Sequence, residues 1–197
     1  MNQRTATVER TTNETDIRIA VNLDGTGAVE VETGVPFFDH MLTAFGRHSL
    51  IDLAVHAKGD IEVDAHHTVE DTGIVLGQAV DCALGDKRGI ARFGSLALPM
   101  DEALVLAAVD LSGRGQLHWA VDVPPVMLGS FDASLAKEFF IAFAANAGLT
   151  LHVHSLAGEN AHHLVEASFK AAARALRQAV EHDPRIGDAL PSTKGAL

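Results

Sequence analysis

Apolar and polar residues alternate in several short stretches of this chain, and between those stretches apolar residues return every three or four positions. The first pattern is that of a strand with one buried face, the second that of an amphipathic helix. Alternation predicts strands over Thr5–Arg10, Asp16–Val21, Gly94–Leu98, Leu104–Asp110 and Gln116–Val121, with Gly113 and Gly115 punctuating the turn between the last two. Two more alternating stretches end in histidine, Leu53-Ala54-Val55-His56 and Leu149-Thr150-Leu151-His152. A helix is predicted after each. One carries Ile74, Val75, Ala79, Val80 and Leu84 and closes at Gly85; the other carries Phe169, Ala173, Leu176, Ala179 and Val180 and ends at Asp183-Pro184. A helix is also predicted before each. The first runs from Pro36, suited to a first turn, to Phe45 and Gly46. The second runs from about Asp132 to Ala147, with Asp132 or Ser134 as N-cap and Gly148 as terminator.

The same order of elements occurs twice because the sequence itself repeats. At an offset of 96 residues, Leu53 and His56 match Leu149 and His152, Ala65-His66-His67 matches Ala161-His162-His163, and Val69-Glu70 matches Val165-Glu166. Strand hairpins mixed with helices predict an α+β fold of two similar halves. Each half is a small, mostly antiparallel sheet with two helices on one face, and the halves pack helix to helix. The expected division is 1–92, 93–186 and a C-terminal tail, 187–197.

Composition narrows this picture. Hydrophobic residues make up 47% but aromatics only 5%, so the core must be built from Val, Leu, Ala and Phe. A net charge of -11 argues against a nucleic-acid groove or an anionic membrane as partner. Arg92, Arg114, Lys170 and Lys194 could still gather into a local basic pocket. The single cysteine, Cys82, excludes a disulfide framework, and its apolar neighbours Val80, Ala83 and Leu84 suggest a buried side chain. No apolar run approaches the ~18 residues of a spanning helix. The polar start, Met1-Asn2-Gln3-Arg4-Thr5, has no signal-peptide core, so a cytoplasmic location is expected.

Four of the 11 histidines form the two adjacent pairs of the repeat. In His-His-x-x-Glu on a helix, either histidine shares a face with the glutamate one turn on. Adjacent helical residues diverge by about 100°. A pair is therefore poorly placed to grip one ion and well placed to serve two. Imidazole and carboxylate donors without cysteine suit Mn, Fe, Co or Zn rather than a structural zinc site. Exposed helix histidines would explain one such motif; two in register within a repeat point to metal. His40, on the helix ahead of the first motif, and Glu138, on the equivalent helix ahead of the second, could complete the ligand sets. His56 and His152 read as hydrogen-bonded structural histidines. No glycine string forms a phosphate loop. The ending Pro191-Ser192-Thr193-Lys194-Gly195 offers hydroxyls and an ammonium on a tail. These residues alone leave open an enzyme, a metal-storage shell and a dinuclear hydrolase.

Five segments together resemble the imidazoleglycerol-phosphate dehydratase family over essentially the whole chain. They are Arg10-Thr11-Thr12-Asn13-Glu14-Thr15, Phe37-Phe38-Asp39-His40-Met41, Asp64-Ala65-His66-His67-Thr68-Val69-Glu70-Asp71, Gly158-Glu159-Asn160-Ala161-His162-His163 and the Pro191–Gly195 ending. The resemblance implies a duplicated fold like domain 2 of ribosomal protein S5. It implies Mn-dependent dehydration of a small phosphorylated substrate in histidine biosynthesis, and a 24-subunit homo-oligomer with active sites between subunits. It implies two Mn²⁺ per active site, with His40, His67, Glu70 and His163 on one ion and His66, His162, Glu166 and Glu138 on the other. Many members carry histidine where Glu138 stands. Glu14, Arg92, Arg114, Lys170, Ser192, Thr193 and Lys194 are implied substrate contacts, and Glu14, Glu70 and Glu166 the catalytic carboxylates.

Overall fold

The computed structural model describes residues 4–197, so the first three residues of the polar start lie outside the described residues. The first half runs β1 (Thr5–Thr11), β2 (Thr15–Asn22), β3 (Val29–Glu32), α1 (Pro36–Ser49), β4 (Asp52–Gly59) and α2 (His66–Leu84). The second runs β5 (Phe93–Met100), β6 (Ala103–Asp110), β7 (Gln116–Ala120), a short β8–β9 hairpin (Met127–Leu128 and Phe131–Asp132), α3 (Leu135–Asn146), β10 (Thr150–Ala157) and α4 (Ala161–Val180). The two main sheets have one plan. Their strand orders are β1-β2-β4-β3 and β5-β6-β10-β7, each antiparallel except for the last pair. The α+β duplication expected from the repeat is therefore present.

Alternation and burial agree along the inner strands. Ile17, Ile19 and Val21 of β2 face inward, as do Ala103, Val105, Ala107 and Val109 of β6. The helices fill the space between the sheets, and they pair across the halves: α1 packs on α4, and α2 on α3. Phe38, Phe45, Phe131, Phe139, Phe140, Phe143 and Phe169 are fully buried there, so the few aromatics are concentrated at the junction between the halves. Phe139 stacks on Phe169 with ring centroids 5.1 Å apart, and Phe45 meets Phe143 edge-on at 5.7 Å.

Both motif helices begin alike. Asp64 Oδ1 accepts from the His66 backbone N–H at 2.7 Å, and Asn160 Oδ1 accepts from that of His162 at 2.9 Å. One turn on, the Thr72 hydroxyl donates to Thr68 O at 2.6 Å and the Ser168 hydroxyl to Leu164 O at 2.7 Å. Each of these pairs also differs by 96 residues, so the repeat extends to caps and buried hydroxyls.

Three sequence expectations change. β3 has a four-residue alternation too short to stand out, and it adds a parallel edge to its sheet. α1 continues past Gly46 to Ser49 and stops where Leu50 turns left-handed at φ 59°. Cys82 is exposed. On a helix, neighbours in sequence point to different sides, so the apolar residues flanking it did not report its burial. Among the described residues, no helix is long and apolar enough to cross a membrane.

Candidate metal centre

His40, His162 and Glu166 come together at the junction of α1 and α4. One donor atom from each lies within 4.8 Å of the others. His162 Nε2 is 2.9 Å from Glu166 Oε2, and His40 Nε2 is 3.4 Å from the same oxygen. The Phe37 and His162 rings meet in a T-shaped pair, with centroids 5.1 Å apart. Glu166 is 8% exposed, and Lys170 Nζ donates to its second oxygen at 2.6 Å. Burial pulls its carboxyl pKa upward, but hydrogen bonds from Lys170 and His162 outweigh it and hold the group below its ordinary value. A buried carboxylate kept ionised beside two imidazoles fits a divalent cation of the Mn–Zn group. The resemblance placed His40 with the other ion's ligands; within one chain it stands with His162 and Glu166.

The first motif is more open. His66 Nε2 lies 3.5 Å from Glu70 Oε2, and both side chains are exposed. A cleft of about 460 Å³ beside it is lined by Asp64, His66, Ser134 and Leu135, so the motif faces the start of α3. Glu138 is half-buried on α3 and joins no cluster of candidate ligands among the described residues.

The second histidine of each pair turns elsewhere. His67 Nδ1 donates to Asp60, at 3.1 and 3.2 Å from its two oxygens. His163 Nδ1 donates to Glu102 Oε2 at 2.7 Å. A carboxylate only accepts, so in both rings Nδ1 carries the proton. The hydrogen bond to Asp60 raises the His67 pKa, and that to Glu102 raises that of His163. The His163 hydrogen bond, followed by the Asn160 backbone N–H, pushes the Glu102 carboxyl down to about 2. Sequence reasoning missed both carboxylates. Glu102 lies in a hairpin turn and Asp60 just past the end of β4, both outside the motif, and only the fold brings them to the rings.

Glu14 stands at the tip of the β1–β2 hairpin, 57% exposed, its carboxylate 3.8 Å from His67 Nδ1. The Thr12 hydroxyl accepts from the backbone N–H groups of Glu14 and Thr15 at 3.1 and 2.9 Å. Arg10 and the Thr15 hydroxyl both donate to Asp71 of α2, which ties this hairpin to the motif helix. Arg92 and Arg114 meet at Asp110. Arg92 Nε donates to Asp110 Oδ1 at 2.8 Å, while Arg114 Nη2 is 3.8 Å from Oδ2. Arg92 also donates to Pro191 O at 2.8 Å, which brings the tail to the arginines. In that tail the Ser192 hydroxyl donates to Ala196 O and accepts from the Lys194 backbone N–H; Thr193 and Lys194 are exposed. Lys170 is not in this group but with Glu166.

Among the described residues, neither His56 nor His152 makes a side-chain hydrogen bond. Both lie on outer sheet faces, His56 with Nδ1 3.8 Å from Glu32, beyond bonding distance, and His152 stacked on His118 with centroids 4.2 Å apart.

The model of the imidazoleglycerol-phosphate dehydratase family matches residues 33–176. The chain belongs to that family. Dehydratases of this name from Ruegeria pomeroyi and Roseobacter denitrificans are 61% and 62% identical to it over 194 residues, which is 98% of this chain and 100% of each of theirs. Among solved structures, the family's enzyme from Staphylococcus aureus superposes with a TM-score of 0.83 at 38% identity, covering 91% of this chain and 99% of its own. That from Pyrococcus furiosus gives 0.84 at 39%, covering 96% and 100%. Family membership thus extends over both motifs and both halves.

Proposed function

We propose that this chain removes water from imidazole-glycerol phosphate to give imidazole-acetol phosphate, as a hydro-lyase of histidine biosynthesis. The observation that carries the reading is the His40–His162–Glu166 cluster on a repeat motif of this family. The proposed ligands are His40, His66, His67, Glu70, Glu138, His162, His163 and Glu166, for two Mn²⁺ per active site. The pairing of α3 with α2 sets the helix of Glu138 beside the first motif, as α1 sets His40 beside the second, and supports Glu138 as the counterpart of His40. Manganese at these donors supplies Lewis-acid polarisation of the substrate's imidazole nitrogens.

The chain's own groups do the rest. The reaction breaks the C–O bond next to the ring and the C–H bond on the following carbon; the oxygen leaves as water, and the resulting enol becomes a ketone. Glu14, exposed beside His67, takes the proton from that carbon. Arg92, Arg114 and Lys194, with Ser192 and Thr193, hold the phosphate through charge-assisted hydrogen bonds, Arg92 already touching the tail. Lys170 keeps Glu166 ionised and adds a cation at the metal end of the site. One chain gathers three ligands at one point and leaves the first motif open, which supports completion by neighbouring subunits in a 24-subunit shell. A cytosolic location accords with this chemistry.

Incubation with imidazole-glycerol phosphate and Mn²⁺ tests the reading. The expected product is the ketone, with no inorganic phosphate released. Phosphate release would point to a hydrolase, and metal uptake with no product to a storage protein.

A further inference from the structure

The duplication makes the tip of the β5–β6 hairpin the counterpart of the tip of the β1–β2 hairpin, because each joins the first two strands of its sheet. Glu14 stands at one tip and Glu102 at the other, each facing the second histidine of its half's motif, His67 or His163. Yet the two carboxylates are used differently. Glu102 is committed: one oxygen accepts from His163 Nδ1 at 2.7 Å, and the other from the backbone N–H groups of Asn160 and Glu159 at 3.0 and 3.4 Å. Glu14 makes no such bond, because Asp60, from the end of β4, already holds His67 Nδ1.

We propose that Glu102 and Asp60 are positioning carboxylates that lock His163 and His67 with Nδ1 protonated and the Nε2 lone pair presented to metal, and that Asp60 thereby releases Glu14 to face substrate. The proposal rests on the metal reading of the two histidines. An imidazole binds a cation through an unprotonated nitrogen, and a carboxylate on the other nitrogen fixes the tautomer, the ring orientation and the basicity. The geometry leaves Nε2 available in both rings. That of His163 meets only Asp101, at 3.7 Å, and that of His67 has no hydrogen-bond partner among the described residues. The same service comes from unrelated positions in the two halves, a hairpin tip in one and a strand end in the other. Common descent from the repeat does not explain that, whereas a shared demand on the rings does.

The test is a titration of metal-stripped, full-length protein with Mn²⁺, following the paramagnetic resonance signal of the free ion. Glu102→Leu and Asp60→Leu are expected to weaken Mn²⁺ binding about 10–100-fold. Glu102→Gln and Asp60→Asn, which keep an acceptor but lose the charge, should fall between these and the parent. Glu14→Gln should leave Mn²⁺ affinity as it was, although Glu14 is the counterpart of Glu102. His163→Ala and His67→Ala separate this proposal from the reading beneath it. If they leave affinity unchanged, the ligand assignment fails. If they weaken it while the Glu102 and Asp60 variants bind normally, the positioning role fails. Should the leucine variants not fold, the amide variants decide alone, and normal affinity in them overturns the proposal. Equal weakening by Glu14→Gln and Asp60→Asn would overturn the division of labour.

Discussion

Each histidine of the two motifs has its own chemical neighbour. The first of each pair turns Nε2 to the glutamate one turn on, and the second turns Nδ1 to a carboxylate from outside the helix. On the proposed reading, such an arrangement separates ligand orientation from proton transfer, which that reading assigns to Glu14. Glu14→Gln should therefore lower kcat about 10²–10⁴-fold, with KM and Mn content little changed; steady-state kinetics and metal analysis check this, and near-normal turnover would remove Glu14 from the chemistry. At this scale the sequence was informative wherever chemistry repeats at a fixed spacing. The two histidine pairs and the glutamate after each stood out for that reason. Asp60 and Glu102 did not, because a carboxylate in a turn or past a strand end resembles any solvated acid until the fold sets it beside a ring.

Helix α2 lies closer to α3 than ordinary side chains allow. A Cβ at Gly73 would stand 2.6 Å from Phe139 O, and one at Gly77 2.7 Å from Phe143 O. These backbones touch because no side chain intervenes, and the motif face of α2 is thereby set against α3. Gly73→Ala is expected to cost about 1–3 kcal/mol through overpacking, read as a lower urea midpoint. Unaltered stability would mean that the two helices separate without penalty. The sequence revealed the helices and long strands because a dozen residues of periodic burial make a strong signal. It did not reveal β3, whose four residues carry too little periodicity. Nor could it give the burial of Cys82, which depends on helical phase rather than on adjacent residues.

Over the whole molecule, each half lacks its own helix partner. α1 finds its partner in α4, and α3 finds its partner in α2, so the phenylalanine junction exists only when both halves are present. Residues 1–92 made alone should therefore be unfolded or aggregated, and co-expression with 93–197 should recover a soluble complex. A cooperatively unfolding 1–92 fragment, seen by calorimetry, would contradict this. Pairing of this kind is what a half-length chain would form with its own copy, one residue meeting another and the reverse holding across a two-fold axis. Joining the copies makes the encounter intramolecular and independent of concentration. It also ends the obligation of the two copies to stay alike. Histidine at position 40 can have glutamate 138 as its counterpart, and, as proposed, one hairpin carboxylate can steady a ring while its twin is left to handle protons. A symmetric ancestor could not have divided its labour in this way.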